Sequence, residues 1–400
     1  MGTFIEAIKE IADLDMLFYV PAEVATSAAA VSGYERSLSL HWNANLRLFL
    51  CPRTNQEASQ SKWAMYGREA VSFFKQPVYA DTSGARQLEA FEDRLQDKPD
   101  VIFAHRLASM CPPLRTRRPL PPIVFDLDDI EHVAFLRSID KKWRWRSQLL
   151  YSTRLPALWL GERRAIQLAY RTFVCSESDR NYLEDRWRLA RILTVPNAVA
   201  TAPQLPVVAD PTLLFLGSYS YSPNVQAAEY LIQRIWPHIY RKMPSARLFI
   251  AGPHMEMIRG RAAGIQGVEL MGFVDDLDVL YQRSRVVCCP VLAGSGTRIK
   301  IAEAAAFGKP IVATRLGAEG LDLQDGAELL LRDDPRKFAD ACLELLENSA
   351  LCERLGSAAR NKALQLYDRG SVVRLIQECL QTIEPPVCRE LQPSGCRSNE

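Results

Sequence analysis

Apolar residues along the chain fall into two spacings. Phe4, Ile5, Ile8 and Ile11 recur at helical intervals, and residues 14–20 (LDMLFYV) then read as a strand. Short apolar runs at 46–51, 101–104, 123–126, 172–176 and 192–195 predict further strands. Residues 88–95 and 178–187 predict helices, 56–74 reads as partly helical, and 31–50 is mixed. From residue 213 the alternation becomes regular. Strands at 213–216, 247–252, 268–273, 286–289 and 311–314 alternate with helices that include 225–235, 280–285 and 298–307. Such alternation from 213 to 332 predicts a doubly wound parallel sheet. Helices at 338–346, 351–366 and 371–382 follow, the last amphipathic, and 385–400 reads as disordered. Residues 200–211, with Pro203, Pro206, Asp210 and Pro211, have linker character. They divide the chain into a domain over 1–200 and a second over 201–369, before a final helix at 370–383 and a tail at 384–400.

Composition narrows the function classes. Four hundred residues suit two or three domains, and 48% hydrophobic residues supply substantial cores. A net charge of +2 gives no bulk argument for nucleic acid. The ten Cys contain no Cys-x-x-Cys pair and several fall in predicted buried elements, which points to reduced thiols and the cytoplasm. Five scattered His offer no metal-ligand spacing, so no metal is expected. There is no apolar run of bilayer length, and residues 1–19 carry Glu6, Glu10, Asp13 and Asp15, unlike a signal peptide.

The densest chemistry lies in residues 286–314. A strand leads into Gly294-Ser295-Gly296-Thr297, and a helix then opens at Arg298. The two Gly let backbone N–H groups approach an anion, and the helix start adds its positive end. Arg298 and Lys300 put two cations in the first turn, where they oppose the helix dipole and suit an anionic ligand. Glu303, further along, is placed to accept hydrogen bonds from sugar hydroxyls. The expected ligand therefore carries phosphate and sugar, a nucleotide or nucleotide-sugar. The competing reading is a surface turn with solvated charges. Gly308-Lys309 precedes Pro310 and is not a P-loop; Gly294-Ser295-Gly296 lacks the third Gly of the dinucleotide fingerprint.

His105 and the cluster Asp126, Asp128 and Asp129 also follow strand ends, facing the expected cleft. His105 is a catalytic candidate, against a structural role. The acids either orient an acceptor hydroxyl or cap the next helix. Residues 141–164 hold seven basic residues, one acid, Glu162, and interleaved Trp143, Trp145, Tyr151 and Trp159. That stretch reads either as a contact with an anionic membrane surface or as a helix with a solvated basic face. No RNA-binding motif accompanies it, so no nucleic-acid partner is expected.

GSGTRIKIAEAAAFGKPIVATRLGAEGL resembles the donor-site segment of family 4 retaining glycosyltransferases, in the subgroup reading Gly-x-Gly-Thr-Arg-x-Lys-x-x-Glu. DVIFAHR, IVFDLDDIEH, FVCSESDRNYL, VPNAV and MGFVDDL are similar to other segments of that family. The resemblance implies an α/β GT-B fold: two Rossmann-like doubly wound domains, a cleft between them, and a C-terminal helix crossing back to the first. It implies a nucleotide-diphosphate-sugar donor held by Gly217, Phe273, Val274, Gly294, Ser295, Gly296, Thr297 and Glu303. Arg298 and Lys300 would stabilise the departing diphosphate, His105 would lie near the reacting sugar, and Asp126, Asp128 and Asp129 would lie on the acceptor side. The implied acceptor is a glycan, a lipid-linked sugar or a polysaccharide, handled without metal or cofactor and with peripheral contact at the inner membrane face. Three departures stand out. Ser295 replaces the first of two glutamates eight residues apart. No basic residue follows Gly217. The chain opens on a helix where the family has a strand and Gly-rich loop, so the first strand is expected to be missing. A GT-B epimerase or hydrolase, or a non-catalytic nucleotide-sugar binder, would share the donor segment.

Overall fold

The computed structural model describes residues 2–20, 28–44, 46–52, 82, 84–138, 154–294 and 296–383. The expectations for 56–74, for most of 141–164, for Ser295 and for the tail at 384–400 lie outside these residues.

Among the described residues the strands form three parallel sheets. β1 (Leu14–Val20) pairs with β2 (Leu46–Pro52). β3 (Ile102–His105), β4 (Ile123–Asp126), β5 (Arg171–Val174) and β6 (Ile192–Thr194) form a second sheet in that order. Its register sets His105 opposite Asp126, the last residues of their strands. The third sheet contains β7 (Thr212–Leu216), β8 (Arg247–Ala251), β9 (Val268–Gly272), β10 (Val286–Cys289), β11 (Ile311–Ala313) and β12 (Leu330–Leu331). Its order is β12-β11-β10-β7-β8-β9, so the winding reverses between β10 and β7. All residues of β7 and β10 are buried, as continuous apolar runs in a two-sided parallel sheet require.

Helices cover these sheets, and their ends are capped by side chains. Asp334 accepts from the N–H groups of Arg336 and Lys337 ahead of the Pro335–Glu347 helix, and Pro335 needs no partner there. Asn348 caps the Ser349–Tyr367 helix and Ser176 the Glu177–Trp187 helix. The Ile299–Ala306 helix buries Ile301, Ala302 and Ala304–306 against the third sheet, and the small Ala side chains let it lie close.

Several boundaries differ from the sequence expectation. The mixed stretch 31–50 resolves into the Ala28–Trp42 helix followed by β2. The helix expected at 225–235 starts at Ser222 and widens into a π-turn over Leu231–Ile235. Pro237 follows two residues on; it lacks an N–H and crowds the preceding turn, which the wider π geometry relieves. The helix expected at 280–285 is Leu277–Arg283, capped by Asp276. Arg285 lies beyond it, buried and donating to Leu345 O, Val208 O and Ser349 Oγ. The 298–307 helix contracts to Ile299–Ala306.

The chain passes between the second and third sheets twice, side by side. Val199 N donates to Tyr367 O at 2.8 Å, and Arg369 N donates to Val199 O at 3.0 Å. Thr201 Oγ1 adds a bond to Asp368 Oδ1 at 2.9 Å. The Arg369–Gln381 helix then lies on the second sheet, where Val372, Ile376 and Ile383 share a core with Phe4, Ala7, Val124 and Phe173. Arg369 pairs with Glu6 at 2.5 Å, and Gln377 Nε2 donates to Ala7 O at 3.1 Å.

Lys309 joins the linker to the third sheet. Its side chain is almost fully buried, and Nζ donates to Pro206 O at 3.3 Å. Burial lowers its pKa from 10.5 to about 8. The unfolded chain therefore holds this proton more tightly, so stability rises with pH from about 8 to 10.5 and the full penalty acts below 8. Lys309→Met should stabilise the protein by about 1–3 kcal/mol near neutral pH, with the gain fading above pH 10 or so. Urea denaturation at both pH values checks this; an equal shift at both would contradict it.

Candidate functional site

In an open parallel sheet a ligand crevice forms outside the carboxyl ends of the strands, where the order reverses. Here the crevice lies between β7 and β10. The Gly217 loop leaves one strand and the Gly294–Thr297 loop leaves the other. The first is tightly packed: a methyl built on Gly252 would lie 1.9 Å from Gly217 O, so the β7 and β8 loops touch backbone to backbone. Gly294 and Gly296 both take positive φ, +97° and +73°, where a side chain would strain the turn.

Arg298 is the N-cap residue of the Ile299–Ala306 helix, with extended φ and ψ, and so stands before the first turn. Its guanidinium folds back onto the loop, donating to Gly296 O and, at 3.4 Å, to Ala293 O. Lys300 does sit in the first turn. Its Nζ donates to Asn224 Oδ1 at 2.9 Å and lies 4.6 Å from the centre of the Phe215 ring. Burial holds its pKa below the ordinary lysine value. Glu303 shows the mirror effect: burial raises its pKa and Lys300 partly offsets this. Phe273 is 68% exposed just after β9, with Val274 packed behind it.

Two further residues belong to this site and were not singled out from the sequence. Asn224 ties the crevice together, since its Nδ2 donates to Ser218 O at 2.9 Å while Oδ1 holds Lys300. Tyr221 places its hydroxyl beside Gly294. The only sequence signal for either was Pro223-Asn224 at a helix start.

Across the crevice stand the ends of β3 and β4. His105 Nδ1 lies 2.6 Å from Asp126 Oδ2, and Asp126 is only 3% exposed. Asp126 therefore holds the His105 ring and is itself buried. Arg106, next to His105, and Asp128, two residues after Asp126, both adopt left-handed backbone, φ +64° and +54°, which is costly for non-Gly residues. Their side chains meet, Arg106 Nη2 donating to Asp128 Oδ2 at 2.7 Å. Glu162 caps the following Glu131–Ser138 helix, fully buried, accepting from the N–H groups of Glu131 and His132 and facing His132 Nδ1. Burial raises the Glu162 pKa. The single acid of the basic stretch is thus an interior cap, and residues 154–164 belong to a packed helix, Arg154–Leu168.

Contacts from residues before β7 close over the Gly-rich loop. Arg137 donates through both Nη atoms to the Glu319 carboxylate and, at 3.3 Å, to Gly294 O. Asn197 Nδ2 donates to Thr297 Oγ1 at 2.7 Å. Asp129 is seated against Gly296. Two cavities flank the loop. One, about 230 Å³, is lined by Arg137, Asp179, Tyr182, Gly296 and Glu319. The other, about 440 Å³, is lined by Arg106, Asp129, Phe135, Tyr221 and Gly294. His105 opens instead into a cavity of about 320 Å³ beside β1, with Tyr19 and Phe103. Arg106 lines both of the latter spaces. The structure thus gathers Gly217, Gly294, Gly296, Thr297, Arg298, Lys300 and Asp129 at one crevice, and sets His105 and Asp126 one cavity away.

Residues 210–348 match the family model of glycosyl transferases, group 1. The chain is 31% identical over 219 residues to a phosphatidyl-myo-inositol mannosyltransferase of Mycobacterium leprae, covering 50% of this chain and 57% of the relative. It is 31% identical over 182 residues to that of Mycobacterium tuberculosis, covering 43% and 47%. The chain thus spans about half the length of these curated relatives. Among solved structures, a sucrose-phosphate synthase from Thermosynechococcus elongatus superposes with a TM-score of 0.64 at 16% identity, over 92% of this chain and 98% of that one. Anabaena Alr3699/HepE, in complex with UDP and glucose, does so with a TM-score of 0.57 at 15% identity, over 93% and 99%. The fold is GT-B.

The raised pKa of Glu303 yields a signed expectation. The folded chain holds this proton more tightly than the unfolded chain, so stability falls as pH rises from the ordinary 4.5 through the raised value. Glu303→Gln should flatten that fall. Denaturant midpoints at about pH 5 and about pH 8 measure it; parallel pH dependence in wild type and variant would contradict the assignment.

Proposed function

We propose that this chain is a retaining glycosyltransferase of family 4 that moves a sugar from a nucleotide-diphosphate sugar to a glycan or lipid-linked acceptor. The observation that carries the reading is the β10–helix junction. Two positive-φ Gly, a helix start and two cations converge on one crevice at the switch point of the sheet. That arrangement suits a diphosphate better than a neutral ligand. The glycosyltransferase names of the sequence relatives and the UDP and glucose bound by Alr3699/HepE agree with it.

The chemistry follows from charge. Cleavage of the sugar–phosphate bond builds negative charge on the leaving diphosphate, and groups fixed near that charge lower the barrier. Arg298 would turn from the loop carbonyls to the phosphate oxygens. Lys300, held by Asn224, would supply a second cation whose strength grows in the water-poor crevice. Glu303 would accept from ribose hydroxyls, and the Phe273–Val274 segment would meet the base. His105, with Nδ1 held by Asp126, would present Nε2 toward the reacting sugar. Charge on the diphosphate is met by protein groups, so the reading calls on no metal. No described helix is long and apolar enough to cross a membrane. A lipid-linked acceptor would be met from the cytoplasmic face by peripheral contact.

Two measurements test this reading. A panel of UDP-, GDP- and ADP-sugars should include one that raises the melting temperature and is consumed with an acceptor extract. Binding without consumption under any condition would point to a non-catalytic binder, and consumption without transfer to a hydrolase or epimerase. Arg298→Ala should weaken donor binding about tenfold or more while leaving the circular dichroism unchanged. Unaltered donor affinity would remove Arg298 from the site.

A further inference from the structure

Glu162, His132 and Tyr182 form a hydrogen-bonded chain that runs from the interior to a cavity. Glu162 is fully buried, and its Oε1 accepts from the N–H groups of Glu131 and His132 at the helix start. Capping uses Oε1; Oε2 faces His132 Nδ1. His132 is buried as well, and its Nε2 lies 2.8 Å from the Tyr182 hydroxyl. Tyr182 is 39% exposed and lines the cavity of about 230 Å³ beside Gly296. Burial pushes the Glu162 carboxyl up, while His132 and the two N–H groups hold it down. A carboxylate only accepts, so Nδ1 carries the proton, and in the neutral ring Nε2 accepts from the Tyr182 hydroxyl. The Tyr182 oxygen then turns its lone pairs to the cavity.

Other walls of this cavity are of the same kind. Asp179 lies three residues before Tyr182 on the Glu177–Trp187 helix, so both side chains share a face. Its Oδ2 accepts from Ser176 Oγ at 2.7 Å. Glu319 supplies a second carboxylate, and Arg137, from the Glu131–Ser138 helix, bridges it to Gly294 O. The cavity thus offers a phenol oxygen, two carboxylates and one guanidinium. Its volume falls below that of drug-sized sites, which suits a single sugar ring. A neutral polyol meets such acceptors with its hydroxyl protons, whereas a phosphate is repelled by them.

We propose that Tyr182 is a specificity-determining residue that accepts a hydrogen bond from a sugar hydroxyl in this cavity, with His132 and Glu162 as positioning residues that fix the direction of its own proton. The inference rests on the donor-site reading above for the place of a sugar beside the Gly-rich loop. The ring belongs to the donor or to the acceptor, and both present the same hydroxyl chemistry. Discrimination arises because a buried chain built to receive a hydroxyl loses a bond when that hydroxyl is absent or misplaced.

The test is isothermal titration of UDP-glucose, GDP-mannose and ADP-glucose, of UDP, GDP and ADP, and of methyl α-glucoside and methyl α-mannoside. The proteins are wild type, Tyr182→Phe, His132→Gln and the double variant, each checked for folding by circular dichroism. Tyr182→Phe keeps the ring and removes one oxygen, so it decides the matter even where His132→Gln does not fold. Tyr182→Phe should weaken at least one sugar-bearing probe about tenfold and leave the bare nucleotides unchanged. His132→Gln should weaken the same probe and add nothing in the Tyr182→Phe background, since it acts through that hydroxyl. A merely structural role would shift nucleotide and sugar alike. An effect on a nucleotide-sugar assigns the donor's ring to the cavity, and an effect on a methyl glycoside assigns the acceptor's. Equal affinity of wild type and Tyr182→Phe for every sugar-bearing probe overturns the proposal and leaves the donor-site reading standing where nucleotides bind. If a methyl glycoside binds through Tyr182 and no nucleotide binds, the sugar site stands and the donor-site reading falls. If no sugar-bearing probe binds wild type, the proposal falls.

Discussion

Parallel strands all finish at one edge, and at that edge the backbone ladder runs out. The last residue of each strand and the loop beyond it are then free to serve something other than the sheet. This chain sets two such edges face to face. From one come Gly217 and the Gly294–Thr297 loop; from the other come His105, Asp126 and the Arg106–Asp128 turn. The reversal of strand order between β7 and β10 parts two loops that would otherwise be bridged by a crossover, and the register of β3 on β4 puts an imidazole and a carboxylate side by side. Neither pairing depends on a special side chain, only on where each strand stops.

Charge in the unliganded crevice is balanced internally. Arg298 lies on loop carbonyls, Lys300 on Asn224 and Phe215, Arg106 on Asp128, and Arg137 on Glu319. Burying a charge without a partner is expensive, so each of several cations held in a narrow space takes a polar or acidic partner. Arg298 and Lys300 are held by main-chain oxygens and one amide, neutral groups that release a cation more readily than the carboxylates that hold Arg106 and Arg137.

Much of this was legible in the sequence. The regular alternation after residue 213 predicts the third sheet, and spacing and helix-dipole arguments pick out Gly294, Gly296, Arg298 and Lys300. Relations across long separations were not legible. His105 and Asp126 were both picked out, but their register, set by backbone pairing between strands, carries no side-chain signature. Nor does the position of Asp126 at a strand end signal that it is buried beneath His105. Glu162 looked like the lone acid in a basic surface stretch, because local pattern cannot reveal that a helix start thirty-one positions earlier needs a cap. Asn224 looked like an ordinary helix opener. Its role appears only when the β7 loop and the Ile299–Ala306 helix meet.

The two neighbouring chain passages at Val199 and Asp368 have a mechanical meaning. Both strands of the connection are tied to each other by backbone bonds and by Thr201, so they behave as one narrow strip. A strip of that kind resists shear and extension but yields to twisting and bending about its own line. Any widening of the crevice is thereby confined to rotation about one axis. Asn197 stands two residues before Val199, beside one passage, so its bond to Thr297 is a tie that such a rotation strains little.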